Sequence, residues 1–256
     1  MLTTKKMAEH IARLAGAELT KKSTSLTQGD VSFKKHGETV TRIDREINTF
    51  IINELEAHFP DHDIITEEAD AIDGNGEHKR WFVDPIDGTN NFVRQIPLYC
   101  VSIGYEQDRV LTVGAIFDPV HQVLYSGERG KGAFANDKAL HVTKQTALDN
   151  AMIFEGHGYP PEHQAQHSKV VSRINSSSSN RREIGTAALM LAYLAQGRAD
   201  GMILTGTKPW DCAAGAVLVR EAGGRVTNFK GDDWTPSDNM IVASNGLIHD
   251  QLLELL

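Results

Sequence analysis

An apolar strand that terminates in two aspartates constrains this chain more than any other part of it. Residues 81–92 read WFVDPIDGTNNF. The run Trp81, Phe82, Val83 has the composition of a buried strand, Pro85 stops it, and Asp84 and Asp87 arrive three positions apart at its end. Gly88 permits tight backbone geometry, and the Gly88 and Thr89 amides that follow can open a helix whose first N–H groups face a phosphate. Oxygen-rich, carboxylate-dominated ligation of this kind suits hard cations such as Mg²⁺ or Mn²⁺.

Other chemistries with similar letters fail on spacing. A haloacid-dehalogenase-type phosphatase, which attacks through an aspartate, needs its second aspartate two residues later. A calcium-binding EF-hand loop starting at Asp84 would need Gly at its sixth position and Glu at its twelfth, where this chain has Thr89 and Gln95. The plain structural alternative is a strand-to-turn junction whose aspartates cap backbone amides. Two further carboxylate positions stand out. Glu67 and Glu68 follow the short apolar run Ile64-Ile65, and Asp211 precedes CAAG at 212–215, where it reads as a helix N-cap. The pairs His58/His62 and His163/His167 have i, i+4 spacing but lack the intervening Glu of a zinc-hydrolase motif, so they read as solvated surface histidines. Cys100 and Cys212 show no CxxC spacing; Cys212, beside Asp211, is a candidate for a thiol sensitive to oxidation.

Charge narrows the partners. The 26 Lys plus Arg stand against 34 Asp plus Glu, a formal charge of −8, with no basic run to track a nucleic-acid backbone. An acidic protein repels a phosphorylated metabolite unless bound cations reverse the local field. The first 19 residues read as an amphipathic helix rather than a signal, and no apolar stretch approaches the ~20 residues needed to cross a bilayer. A reducing cytoplasm is the expected compartment.

Apolar spacing predicts helices over 4–18 and 41–57, the second closing before Pro60. Short β-rich segments follow at 63–66, 80–83, 99–105, 110–117 and 123–126, closely spaced as in an antiparallel sheet. From about residue 150 strands at 151–155, 201–204, 225–229 and 240–244 alternate with helices near 161–173, 186–196, 212–222 and 248–256, with a Ser run at 176–179 as a solvated loop.

The strings TEE at 66–68, DPIDGTNNF at 84–92, GTAA at 185–188 and WDCAAG at 210–215 occur in the order and rough spacing of the inositol monophosphatase family, and VTRID at 40–44 is similar to its VT-x-x-D segment. The resemblance covers nearly the whole chain. It implies a layered αβαβα sandwich of α/β (α+β) class, with an antiparallel sheet in the first half and a mixed sheet in the second. It also implies one phosphatase domain over 1–256, with lobes of about 1–148 and 149–256 and the active site at their junction.

By the same resemblance, Glu67, Asp84 and the Ile86 carbonyl hold one metal, and Asp84, Asp87 and Asp211 a second. Two or three Mg²⁺ act, with Mn²⁺ as a substitute. Thr89 and Asp44 orient the attacking water, the Gly88 and Thr89 amides hold phosphate oxygens, and Gly185, Thr186 and Ala187 line the alcohol side with Asp211. The implied activity is metal-dependent hydrolysis of small phosphate monoesters, inositol 1-phosphate above all, by a homodimer in the cytoplasm with neither membrane nor nucleic-acid polymer as partner. Fructose 1,6-bisphosphate, NADP or adenosine 3′,5′-bisphosphate, and histidinol phosphate are alternative substrates, and a non-catalytic binding protein is the alternative of another class. Two positions depart from the pattern. Leu204 stands where inositol-preferring members carry a glutamate, and the basic residue expected before VT-x-x-D is either Lys34 or Lys35.

Overall fold

The computed structural model describes residues 2–74, 78–177 and 180–256. Helix α1 (Thr4–Ser23) buries Met7, Ile11, Ala15 and Leu19 at helical spacing, and the Thr3 side chain caps its first turn. A two-stranded ribbon, β1 (Val31–Phe33) and β2 (Thr39–Thr41), leads into α2 (Arg42–His58). Thr41 and Asp44 form a reciprocal capping box at the start of α2, and Ile43, Ile47, Ile51 and Leu55 form its buried stripe.

Strands β3 (Asp63–Thr66) and β4 (Lys79–Asp87), the short helix α3 (Thr89–Val93), and strands β5 (Cys100–Gln107), β6 (Val110–Asp118), β7 (Val123–Glu128), β8 (Ala133–Ala135) and β9 (Lys138–Ala139) complete the first half. The strands form one sheet in chain order. Every pairing is antiparallel except β3 with β4, which run parallel because a long connection separates them. Along β4, Trp81 and Val83 face the core under α1 and α2, while Phe82 faces the opposite core, the period-two alternation of a strand buried on both sides.

The second half runs β10 (Met152–His157), α4 (Pro161–Ser177), β11 (Asn180–Arg182), α5 (Ala187–Ala195), β12 (Gly201–Thr205), α6 (Pro209–Glu221), β13 (Arg225–Thr227), β14 (Met240–Ser244) and α7 (His249–Leu253). Its sheet has the order β11-β10-β12-β14-β13, parallel at β10 and antiparallel at β14. Helices α5 and α6 are buried between the two sheets, and the core formed with α4 and α7 lies on the far face of the second. The result is the αβαβα layering that the family resemblance implies.

The middle layer is tight because small residues let backbones meet. A Cβ added to Gly114 of β6 would lie 2.2 Å from the Ala214 carbonyl oxygen, and one added to Gly104 of β5 would lie 2.8 Å from the Ala213 Cβ. Helix α6 therefore rests directly on β5 and β6.

Several local expectations need correction. Helix α6 begins at Pro209, a residue suited to the first helical position, so Asp211 is not an N-cap; it lies in the first turn and its Oδ2 accepts the Lys208 amide at 2.7 Å. Of the paired histidines only His58 is exposed. His62 stacks among Phe59, Trp81 and Tyr105 and accepts the Trp81 indole N–H, burial lowering its pKa; His167 is buried against Glu155. Cys212 is fully buried, and burial first and Asp211 second push its thiol up, which keeps it protonated and unreactive. The Ser run at 176–179 begins as the last turn of α4, and residues 178 and 179 lie outside the described residues.

Candidate active site

The end of β4 explains how two aspartates three residues apart share one site. In a regular strand Asp84 and Asp87 would point to opposite faces. Asp84 pairs with Ser102 but Asp87 with Cys100, so β4 carries one residue more than β5 across this stretch. That bulge resets the alternation, and both carboxylates line the same cavity of about 680 Å³. Gly88 follows at φ +94°, where an added Cβ would come within 2.9 Å of the Leu98 carbonyl oxygen; only glycine fits.

Each expected site residue can be placed. Glu67, Asp84, Ile86, Asp87, Gly88, Thr89, Gly185, Thr186, Ala187 and Asp211 all line the cavity. Asp44 lies behind it, buried, with Oδ1 accepting the Thr89 hydroxyl at 3.0 Å and Oδ2 accepting the Thr41 amide at 2.8 Å. The Thr89 hydroxyl also lies 2.9 Å from the Ile86 carbonyl oxygen, so its single proton is shared between two acceptors. Asp84 Oδ1 accepts the Ile86 amide at 3.0 Å. Asp87 Oδ2 accepts the Thr186 hydroxyl and the Ala188 amide, each at 2.6 Å, and Oδ1 accepts the Ala187 amide at 3.3 Å. The capping function weighed for these aspartates is therefore present at Asp87, which ties the end of β4 to the first turn of α5.

The electrostatics show an excess of buried negative charge. Burial, reinforced by Glu67, Asp87 and Asp211, raises the Asp84 carboxyl well above its usual range. Glu67 is raised well above its range by burial, against the pull of Lys34. Burial takes Asp87 to about 6 despite its three donors, and burial with Asp87 nearby takes Asp211 to about 7. Asp44 rises to about 6 through burial, opposed by Thr41. Carboxylates clustered this way are stable as anions only beside cations.

One cation is already supplied by the chain. Lys34, in the β1–β2 turn, places Nζ 2.8 Å from Glu67 Oε1 and reaches Glu68. This settles which of the two lysines approaches the carboxylates; Lys35 lines the outer cavity. Among the described residues, no three His, Cys, Asp or Glu side chains stand close enough as placed to cage a metal ion. In this arrangement Lys34 holds Glu67, the Lys208 amide takes one oxygen of Asp211, and both oxygens of Asp87 accept amides. The donor set still fits hard cations, since it is all oxygen, strongly anionic and served by no thiolate or imidazole.

Some lining residues belong to none of the family motifs, although the segment 155–180 with Gly156, His157 and Gly158 is one expected to shape substrate entry. Tyr159 accepts the Asn90 amide at 2.9 Å, Asn90 accepts the Thr39 hydroxyl at 2.6 Å, and this chain links the β1–β2 ribbon across the cavity to the loop after β10. Glu38, His157, Glu183 and Met190 also face the cavity, and the buried Cys100 thiol lies 3.9 Å from Asp87. Nothing in their local sequence distinguishes them from loop or core residues. A groove of about 690 Å³ between α1 and α2, lined by Leu14, Ile47 and Phe50 with basic residues at its rim, is lined by none of the strand-end carboxylates.

Fold and site together define a layered α/β protein with an acidic cavity whose oxygen donors fit hard cations. The chain belongs to the inositol monophosphatase family, whose model matches residues 2–256. It is 37% identical to the inositol-1-monophosphatase of Mesorhizobium japonicum over 95% of this chain and 92% of that protein. It is 34% identical to Nus factor SuhB of Escherichia coli K12, over 93% of this chain and 90% of that one. Among solved structures, the extragenic suppressor protein suhB from Bartonella henselae superposes with a TM-score of 0.92 at 34% identity, covering 98% of this chain and 96% of that one.

Proposed function

We propose that this chain hydrolyses small phosphate monoesters, with an inositol 1-phosphate-like ester as the first candidate, by direct attack of water and with divalent metal bound at the acidic cavity. The observation that carries the proposal is the convergence of Glu67, Asp84, Asp87 and Asp211 on one cavity beside the Asp44–Thr89 pair. We assign the metal to Glu67, Asp84, the Ile86 carbonyl, Asp87 and Asp211. A divalent ion such as Mg²⁺ or Mn²⁺ held there would supply positive charge beside the phosphoryl oxygens and lower the pKa of a bound water.

The remaining steps belong to the chain. Thr89, donating its hydrogen bond to Asp44, keeps a lone pair free to accept a hydrogen bond from the attacking water and so aims that oxygen at phosphorus. The Gly88 and Thr89 amides hold phosphate oxygens, and a water beside Asp211 returns a proton to the departing alkoxide. Gly185, Thr186 and Ala187 border the alcohol. No side chain needs to bond covalently to phosphorus.

We further assign one catalytic unit, with lobes of about 1–148 and 149–256 meeting at the site, and expect a homodimer acting on a metabolite in the cytoplasm. No helix among the described residues is long and apolar enough to cross a membrane. Phosphate release from inositol, sugar, nucleotide and histidinol phosphates, with Mg²⁺ and with chelator, tests the proposal. Metal-dependent release from at least one ester supports it. Release from none, under any metal, leaves a binding protein as the better reading.

A further inference from the structure

We infer that Tyr159 is a substrate-binding residue whose phenolic O–H donates a hydrogen bond to an oxygen of the phosphoryl group, with Asn90 as the residue that positions it. The inference rests on the proposed phosphatase reading for where the phosphoryl group lies. Thr39 is buried, and its hydroxyl donates to Asn90 Oδ1 at 2.6 Å. The Asn90 amide therefore turns its Nδ2 the other way, onto the Tyr159 phenolic oxygen at 2.9 Å. In that contact the phenol is the acceptor, so its own proton remains to be given. Among the described residues, the phenol's only hydrogen-bond partner is this amide. Tyr159, Asn90 and Thr39 all line the cavity that holds the carboxylates.

The phenol is held at both ends. At its base, the Gly158 amide donates to the Thr205 carbonyl oxygen at 2.6 Å, and a Cβ added to Gly158 would lie 2.5 Å from the Gly206 carbonyl oxygen, so the loop lies flat against the end of β12. Gln164 Nε2 donates to the Tyr159 carbonyl oxygen at 2.8 Å. At its tip, the ring reaches Asn90 in the first turn of α3. A donor fixed at base and tip loses little freedom when it meets a ligand. Its surroundings favour an anionic acceptor. Asn90 follows directly on Gly88 and Thr89, whose amides are assigned to phosphate oxygens. Burial first, and then the charges of Glu38, Glu67 and Asp87, push the phenol up to about 12, so it remains a donor throughout the neutral range and stands in the field of two carboxylates assigned to metal. Between that amide cradle and those carboxylates, a phosphoryl oxygen is a stronger acceptor than the uncharged oxygens of the alcohol.

Inorganic phosphate, titrated calorimetrically into the full chain saturated with Mg²⁺, is the probe. Losing a hydrogen bond to a charged acceptor costs about 10- to 100-fold in affinity. Tyr159 is 37% exposed, which places the expected loss in Tyr159→Phe at the lower end, with the ring retained. Asn90→Ala should weaken phosphate binding by less. Added to Tyr159→Phe it should weaken binding no further, as required of a residue that acts through Tyr159; fully additive losses overturn the part given to Asn90. Mg²⁺ affinity, titrated without phosphate, should be the same in wild type and Tyr159→Phe. Three results overturn the assignment of Tyr159: no phosphate binding by wild type, equal phosphate affinity in wild type and Tyr159→Phe, or a matching loss of Mg²⁺ affinity. If wild type binds phosphate more tightly than Tyr159→Phe yet hydrolyses no ester, the phosphatase reading fails while Tyr159 stands as an oxyanion ligand.

Discussion

Replacing Asp211 with Asn should stabilise the metal-free protein while abolishing its response to metal. The Asp211 carboxyl titrates at about 7 in the folded chain because it is withdrawn from water and faces Asp87, against an ordinary value of 3.8. A folded pKa above the unfolded one means that the folded state holds the proton more tightly. The associated stability is present below about pH 4 and is lost as pH rises towards 7. A gap of about three units corresponds to ~4 kcal/mol, and screening by water in the open cavity reduces this to about 2. Asn keeps an oxygen for the Lys208 amide and removes the charge. In EDTA at pH 8 the variant should melt roughly 4–8 °C above wild type, a margin that should vanish near pH 4. With Mg²⁺ at a hundred times its dissociation constant, wild type should gain about 2.7 kcal/mol and the variant far less. Thermal unfolding at the two pH values, with and without metal, measures all of this. A variant less stable than wild type in EDTA at pH 8, or one whose gain does not depend on pH, would refute the account of crowded charge.

Three other perturbations probe separate parts of the site. Thr89→Ala should lower phosphate release by about 10²- to 10⁴-fold and Thr89→Ser should restore much of it, since only the hydroxyl is needed to orient water; steady-state kinetics on the two variants decides this. Lys34→Met removes the cation that holds Glu67, and calorimetric titration should show tighter Mg²⁺ binding if the ammonium competes with metal, or weaker binding if it supports the site. We expect the former, because a single carboxylate oxygen cannot serve both at full strength. Gly114→Ala should cost about 1–3 kcal/mol in denaturant unfolding, since its methyl group meets a backbone oxygen that cannot rotate away.

The strand-end segment around Asp84 and Asp87 stood out from its own residues, while Asp44, Glu67 and Asp211 were picked out by the family resemblance. Gly88 before Thr89 imposes a backbone form that any host fold must accept, whereas Pro85, read as the end of the strand, lies inside β4, which runs on through a bulge to Asp87. The elements were predictable because helices and strands kept their own periods. What could not be read were pairings between distant segments. Neither the parallel joining of β3 to β4 nor the seating of Asp87 on α5 has a local signature, because each depends on where another element comes to rest. His62 and His167 illustrate the same limit: their spacing resembles a surface pattern, and only the aromatic stack and the Glu155 contact show them to be interior. Lys34 could not be separated from Lys35 for want of any periodicity in the turn that carries both.

The contact of α6 with β5 and β6 through Gly104, Gly114, Ala213 and Ala214 acts as a spacer block of fixed thickness. Asp211 is carried on one side of that block and Asp84 and Asp87 on the other, so the gap between them is set by main-chain contact rather than by side chains that could change rotamer. A single methyl group added at Gly104 or Gly114 would press the helix off the sheet and change the distance between these carboxylates. For the proposed phosphatase, the block would hold the metal-binding carboxylates to one spacing whatever the surrounding loops accept.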